Sequence, residues 1–355
     1  MSRFLSARHG GLTPYVPGEQ PQDMQYIKLN TNESPYPPTP RVAQAAAAEA
    51  GRCHLYSDPE CLAVRQRLAA IYGVQTENVL LTNGSDEALS FIVMAYGDAE
   101  HPFAFNDITY GLYSVLCAVH HVPYTVMPLR TDFTVDTAVC RETVCSLMLA
   151  NPNAPTGIAL SRDEMESIVA ARPDRLVVVD EAYVDFGGES CVPLTKKYDN
   201  LLVVQTFSKS RSLAGARLGF IIGSAALIAD LEAIRCSLNP YNVNRMSLAA
   251  GAAALDENQV YMDRCQTIRT TRAHTAETLE KLGFTVLPSC TNFLFAAHPD
   301  LPGETLYRGL KARGVLVRHF SAERTAPFVR VTIGTPEQMR VFLEQTQSLL
   351  EEVTQ

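Results

Sequence analysis

The chain has 355 residues, a hydrophobic fraction of 46%, a formal net charge of −8 and a pI near 5.5. That length suits one large or two ordinary domains with a sizeable core. The acidic balance argues against a nucleic-acid or acidic-membrane partner, and Lys196-Lys197 is too short to be a basic patch.

The first residues, Met1-Ser2-Arg3-Phe4, lead into polar, Pro/Gly-rich sequence without an apolar signal core. No apolar run reaches the roughly 18 to 20 residues that span a bilayer. A cytoplasmic protein is therefore expected. The nine cysteines are scattered, with no Cys-x-x-Cys and no zinc-like spacing, so reduced, buried thiols and no metal are expected. His120-His121 has no carboxylate or cysteine at ligand spacing, which favours a structural role.

Along the chain, the alanine-rich stretch 43–50 has the propensity of a helix. From about residue 61, helical segments such as 62–72 alternate with short apolar runs and Gly-, Asn- or Ser-rich turns. Five runs have the composition of buried strands: 78–82, 101–105, 146–150, 176–180 and 201–205. With helices between them they predict a doubly wound α/β domain. Past about residue 240, long helical stretches come first. Then 282–286 and 328–333 alternate like an antiparallel sheet. The expected organisation is a large domain over 36–240, and a smaller α+β domain made of 241–355 with an N-terminal arm, 1–35.

Ligands of an open α/β sheet bind beyond the carboxyl ends of its strands. After the first run comes Asn83-Gly84-Ser85-Asp86-Glu87, then an apolar helical stretch. Free N–H groups and the helix dipole make a phosphate seat there; ordinary capping by Asp86 and Glu87 is the alternative. After the second comes Tyr110-Gly111, an aromatic placed to stack on a flat ring or simply to pack. After the third, Asn151-Pro152-Asn153-Ala154-Pro155-Thr156-Gly157 makes a rigid loop. The fourth ends Asp180-Glu181-Ala182-Tyr183, and a carboxylate closing an apolar strand needs a positive partner. A protonated pyridine nitrogen is one such partner, and a helix cap or an Arg pair are others. After the fifth come Thr206, Ser208, Lys209 and Arg217. Of the six lysines, only Lys209 directly follows a buried strand. A partly desolvated lysine forms Schiff bases readily, and an arginine suits a phosphate. Together these parts match pyridoxal 5′-phosphate.

The order Asn-Gly-Ser-Asp-Glu, Tyr-Gly, Asn-Pro-Asn-x-Pro-Thr-Gly, Asp-Glu-Ala-Tyr, Ser-Lys, Arg-Leu-Gly-Phe resembles the fold-type-I pyridoxal-phosphate aminotransferases of class I/II. Further segments are similar to their histidinol-phosphate subgroup: Leu12-Thr13-Pro14-Tyr15-Val16-Pro17-Gly18, Leu29 to Tyr36, Tyr56-Ser57-Asp58-Pro59, Ser289 to Phe293 and Val329 to Gly334. The resemblance implies a mostly parallel seven-stranded sheet in the large domain. It implies that Lys209 holds the cofactor, Asp180 keeps its pyridine nitrogen protonated, Tyr183 bonds its ring hydroxyl and Tyr110 stacks on the ring. Gly84, Ser85, Thr206, Ser208 and Arg217 would hold the phosphate, with Asp86 alongside. Tyr56 would reach the phosphate of a neighbouring subunit, making a homodimer. Tyr15, Asn32, Arg318 and Arg330 would face the substrate. Many relatives carry Asn directly before Pro-Thr-Gly, where it bonds the ring hydroxyl. Here that residue is Ala154, which leaves Asn153, Tyr183 or water to serve.

The implied reaction converts L-histidinol phosphate and 2-oxoglutarate to imidazole-acetol phosphate and L-glutamate, a step of histidine biosynthesis. Activity on aromatic amino acids and a threonine-phosphate decarboxylase-like lyase are the alternatives. A regulator that keeps this fold as an effector sensor is disfavoured, because such proteins usually carry a basic DNA-binding domain in front.

Overall fold

The computed structural model describes residues 2–354; Met1 and Gln355, the outer ends of the expected small domain, lie outside the described residues. All five expected runs are strands. In spatial order the large sheet is Val79–Thr82, Gly219–Gly223, Leu201–Thr206, Val177–Asp180, Ser146–Ala150, Phe103–Asn106 and Tyr124–Met127. Gly219–Gly223 is antiparallel to both neighbours and every other pair is parallel, so the seven-stranded sheet is mostly parallel as expected. Two of these strands lie outside the five runs. Gly219–Gly223 is a short apolar segment bracketed by glycines. Tyr124–Met127 is an edge strand with three exposed residues, so it lacks the continuous apolar signal of a covered strand.

Alternate residues face opposite sides. Val177, Val179, Leu201 and Val203 pack into one core layer, and Val178, Leu202 and Val204 into the other. Local signals set the flanking helices. Thr39 caps Pro40–Ala50, its hydroxyl accepting from Val42 N, and Pro40 occupies the first turn. Ser161 and Glu164 form a capping box on Arg162–Ala171.

The second core gathers Leu29, Ile268, Leu294, Val329, Val331 and Phe342. Its sheet pairs Phe293–Ala297 antiparallel with Phe328–Thr332, the latter flanked by Arg318–His319. Only Thr285–Val286 of the expected 282–286 run is a strand, because the helix Asn258–Lys281 is capped at Leu282. The N-terminal segment joins this smaller unit. Ile27–Lys28 runs parallel to Val315–Leu316, and Leu29 O accepts from Thr332 N. The division expected at residue 240 falls too early. The helix Arg245–Asp256 buries Ala250, Ala253, Ala254 and Leu255 in the large-sheet core, beside Val42 of the alanine-rich helix. Two small-residue faces pack closely, and that outweighs the change in helix length that marks the boundary in the sequence.

Candidate active site

The carboxyl ends of the parallel strands and the N-terminal segment enclose a cavity of about 640 Å³. At its floor the strand Val177–Asp180 ends in a buried carboxylate. Asp180 Oδ2 accepts from the Tyr113 hydroxyl at 2.9 Å, and Oδ1 accepts from Ala182 N at 3.2 Å. Burial pushes the Asp180 carboxyl up to about 6, against the pull of those two donors. A buried acid facing a cavity is poised for a cationic partner.

Lys209 lines the same cavity, and its Nζ donates to Thr31 O at 3.2 Å. Burial pulls its pKa down to about 8, and the charge of Arg330 acts the same way. A substantial neutral fraction of the amine is thereby available near physiological pH, as a nucleophile and a base.

The phosphate end is built by close packing. Gly84 has φ +84 and precedes the helix Ser85–Tyr96. A Cβ on Gly84 would lie 2.5 Å from Arg217 Nη2, and one on Gly219 would lie 2.6 Å from Ser85 N. Only glycines let the guanidinium approach the free N–H groups of the helix start, so these residues fit a phosphate group. Ser208 N donates to Thr206 Oγ1 at 3.1 Å, and the two hydroxyls bond each other at 2.9 Å; both residues are buried and line the cavity. Asp86 lines it too, but its carboxylate meets Tyr110 OH and Arg217 Nη2, each at 2.9 Å. Its charge suits holding those two groups rather than touching a phosphate.

Tyr183 OH accepts from Asn32 Nδ2 at 2.9 Å, and Asn32 Oδ1 accepts from Thr332 Oγ1 at 3.0 Å. Asn32 therefore holds Tyr183 while lining the wall, with φ +56. Tyr15 meets Tyr110 edge-on at 5.7 Å. Arg330 lies between Phe293 and Phe320, donates to Asn30 O at 2.9 Å, and has a buried Nε without a partner. Arg318 donates to Val16 O and Pro17 O, both at 3.3 Å, which fixes the N-terminal segment beside it.

Asn153 and Tyr56 stand apart from the cavity. Asn153 is buried and fully engaged: Oδ1 accepts from Thr109 Oγ1 at 2.8 Å, and Nδ2 donates to Ile108 O at 2.9 Å and Thr156 Oγ1 at 3.0 Å. It braces the Pro-rich loop, and Ala154 and Pro155 face the cavity instead. Asn153 is therefore corrected from ligand to scaffold, since all its polar groups are already used. Tyr56 is exposed and stacks on Tyr241 at 4.4 Å, outside the cavity of its own chain. Arg245 donates to Tyr56 O at 2.6 Å and pairs with Glu49 at 2.7 Å, so it fixes the Tyr56 loop. Tyr113 is the residue that the strand-end reading misses. Besides bonding Asp180, its ring braces Tyr110 edge-on at 5.7 Å. The Tyr-x-x-Tyr spacing across a helix start is the available signal.

The family model for aminotransferase class I and II matches residues 24–345. Histidinol-phosphate aminotransferase 1 of Bordetella parapertussis is 49% identical over 97% of this chain and 98% of its own. Histidinol-phosphate aminotransferase of Brachyspira hyodysenteriae is 45% identical over 99% of both. The fold matches the crystal structure of histidinol-phosphate aminotransferase from Sinorhizobium meliloti in complex with pyridoxal-5′-phosphate, at TM-score 0.88 and 23% identity, over 99% of both chains.

Proposed function

The chain belongs to the class I and II aminotransferases, and we propose that it transfers the amino group of L-histidinol phosphate to 2-oxoglutarate, using pyridoxal 5′-phosphate. Imidazole-acetol phosphate and L-glutamate are the products. The observation that carries this reading is the convergence of Lys209, Asp180 and Tyr183 on one cavity with a phosphate seat at one end and Arg330 at the other.

When bound, the cofactor supplies an electron sink for the bond electrons released at the donor α-carbon. The chain's own residues do the rest. Lys209 Nζ, about half neutral at pH 8, takes the proton from the donor α-carbon and hands it on, work that is worth about 10²–10⁴-fold in rate. Asp180 provides the counter-charge that keeps the pyridine nitrogen protonated, and Tyr113 holds that carboxylate in place. Tyr183, itself held by Asn32, would bond the ring hydroxyl, a role that falls to it because Ala154 offers no amide. Gly84, Ser85, Thr206, Ser208 and Arg217 seat the phosphate. Arg330 and Arg318 bind the donor phosphate, and Arg330 then takes a carboxylate of the 2-oxo acid, with Tyr15 closing the wall.

We place the enzyme in the cytoplasm as a homodimer in which Tyr56 serves the neighbouring site. The supports are nine free cysteines, which fit a reducing compartment, and an exposed Tyr56 held away from its own cavity. Among the described residues no helix is long and apolar enough to cross a membrane.

The test is the absorbance of the cofactor-loaded protein as L-histidinol phosphate is added without any oxo acid. Stoichiometric conversion to pyridoxamine phosphate without carbon dioxide is expected. Carbon dioxide release from threonine phosphate would instead favour a decarboxylase, and conversion of aromatic amino acids alone would reject the phosphorylated donor. Lys209→Ala that still turned over normally would refute the central assignment.

A further inference from the structure

The smaller unit carries Arg318 and Arg330, and one of its contacts with the large unit that the reaction itself does not use is made by Arg324. The loop 320–327 lies between the strands Arg318–His319 and Phe328–Thr332. Its Arg324 crosses to the large unit. There Nη1 pairs with Asp107 Oδ2 at 3.0 Å and donates to Leu129 O at 3.2 Å, while Nη2 donates to Arg130 O at 2.6 Å. The guanidinium also sits 5.1 Å from the Phe133 ring. Phe133 makes the return crossing from the large unit, edge-on to Phe328 at 5.4 Å and to Phe295 at 6.3 Å. A non-glycine residue at φ +65 there indicates a loop held by its packing.

Both ends of this contact lead to the cavity. Asp107 Oδ1 accepts from Ile108 N and Leu129 N, each at 2.9 Å. The carboxylate that receives Arg324 thus fixes the segment that carries Thr109 and Tyr110. On the other side Phe295 stacks on Phe328 at 4.6 Å and meets Phe320 at 6.2 Å. Phe320 in turn lies 5.7 Å from both the Arg318 and the Arg330 guanidinium.

We propose that Arg324 is a positioning residue for the phosphorylated amino donor: by clamping the 320–327 loop to the Asp107 turn, it sets the spacing between the Arg318/Arg330 pair and the Tyr110 floor. The inference rests on the reading of that arginine pair as the donor-binding end. One planar guanidinium serves a carboxylate and two carbonyls here, which a lysine amine cannot reproduce in full. The residues assigned to the cofactor phosphate, Ser85, Thr206, Ser208 and Arg217, all belong to the large unit, so cofactor affinity is expected not to depend on the clamp.

The experiment follows the single half-reaction of the cofactor-loaded protein with L-histidinol phosphate, alongside the dissociation constant for pyridoxal phosphate. A misplacement of about 1 Å can cost up to ~100-fold. Arg324→Ala is expected to raise the half-saturating donor concentration about tenfold or more, with the limiting rate changed by less than about twofold and cofactor affinity unchanged. Arg324→Lys should recover part of the loss. Asp107→Asn, which keeps an acceptor for the two backbone N–H groups, should reproduce the rise and guards against a variant that merely misfolds. An unchanged half-saturation in both Arg324→Ala and Asp107→Asn would overturn the proposal, as would an equal loss of cofactor affinity, which marks a purely structural residue. A wild-type protein inert toward L-histidinol phosphate would refute the reading of the site and the clamp with it. That outcome is distinct, because it appears before any substitution is made.

Discussion

Replacing Asp180 by asparagine should stabilise the cofactor-free protein at neutral pH while weakening its hold on the cofactor. In the fold, burial raises the Asp180 carboxyl from 3.8 to about 6. One unit is worth about 1.4 kcal/mol, so ionising this buried acid costs the folded state about 3 kcal/mol. The sign follows from proton binding. Below about pH 4 both folded and unfolded chains keep the proton, and nothing is lost. Between about pH 4 and 6 the unfolded chain releases it first, so stability falls as pH rises. Above about pH 6 the full cost is present. The amide carries no charge and removes this dependence. It also has one oxygen for two donors, Tyr113 OH and Ala182 N–H, which costs about 1 kcal/mol at every pH. The expected result is a crossing: Asp180→Asn about 1 kcal/mol less stable at pH 4 and about 2 kcal/mol more stable at pH 8. Urea denaturation of both cofactor-free proteins at pH 4, 6 and 8, followed by circular dichroism, reads the difference. Glu181, also raised by burial to about 7, contributes equally to both proteins and cancels in that difference. A stability difference independent of pH would sink the argument, because it would mean that Asp180 does not ionise at a cost in the empty fold.

Three further outcomes are expected. Gly84→Ala places a Cβ 2.5 Å from Arg217 in a backbone region that costs a side chain about 1–3 kcal/mol; equilibrium dialysis should find pyridoxal phosphate bound at least about tenfold more weakly, and unchanged binding would contradict the phosphate seat. Tyr113→Phe removes one of the two donors that stabilise the charged Asp180, so its pKa should rise further and the pH midpoint of cofactor binding should move up; a midpoint that stays put would show that the hydroxyl is idle. Because burial lowers Lys209 to about 8, covalent loading of the cofactor-free protein should accelerate with pH and level off above about pH 8, and a rate still climbing steeply at pH 10 would argue against a lowered amine.

The parallel core was legible because each covered strand is a continuous apolar run, and a site was legible because Asp180 and Lys209 stand where such runs stop. Tyr124–Met127 escaped because an edge strand needs apolar residues on fewer positions. The resemblance offers Asn153 as a stand-in for the amide missing at Ala154, yet the loop that Asn153 braces consumes its own amide. Tyr113 and Arg324 act through partners distant in the chain, 67 and 217 residues away, and spacing within a motif carries no trace of such pairs. The boundary after residue 240 depended on helix length, whereas small residues at 250–254 decide which core the helix joins.

The alliance of the N-terminal segment with the last strands also orders events in time. Asn32 N bonds Thr332 Oγ1 across 300 residues, and Ile27–Lys28 pairs with Val315–Leu316. During synthesis the segment is made before the large sheet and finds its sheet partner only once residues 315–332 have been translated. The large sheet, with its phosphate seat, is fully translated well before that. The wall that carries Tyr15 and Asn32 is then added by a long-range closure, the slowest kind of contact to form. A ribosome-bound chain stopped near residue 300 would therefore have its phosphate-binding half in place while the arm that completes the pocket still lacked its partner strand.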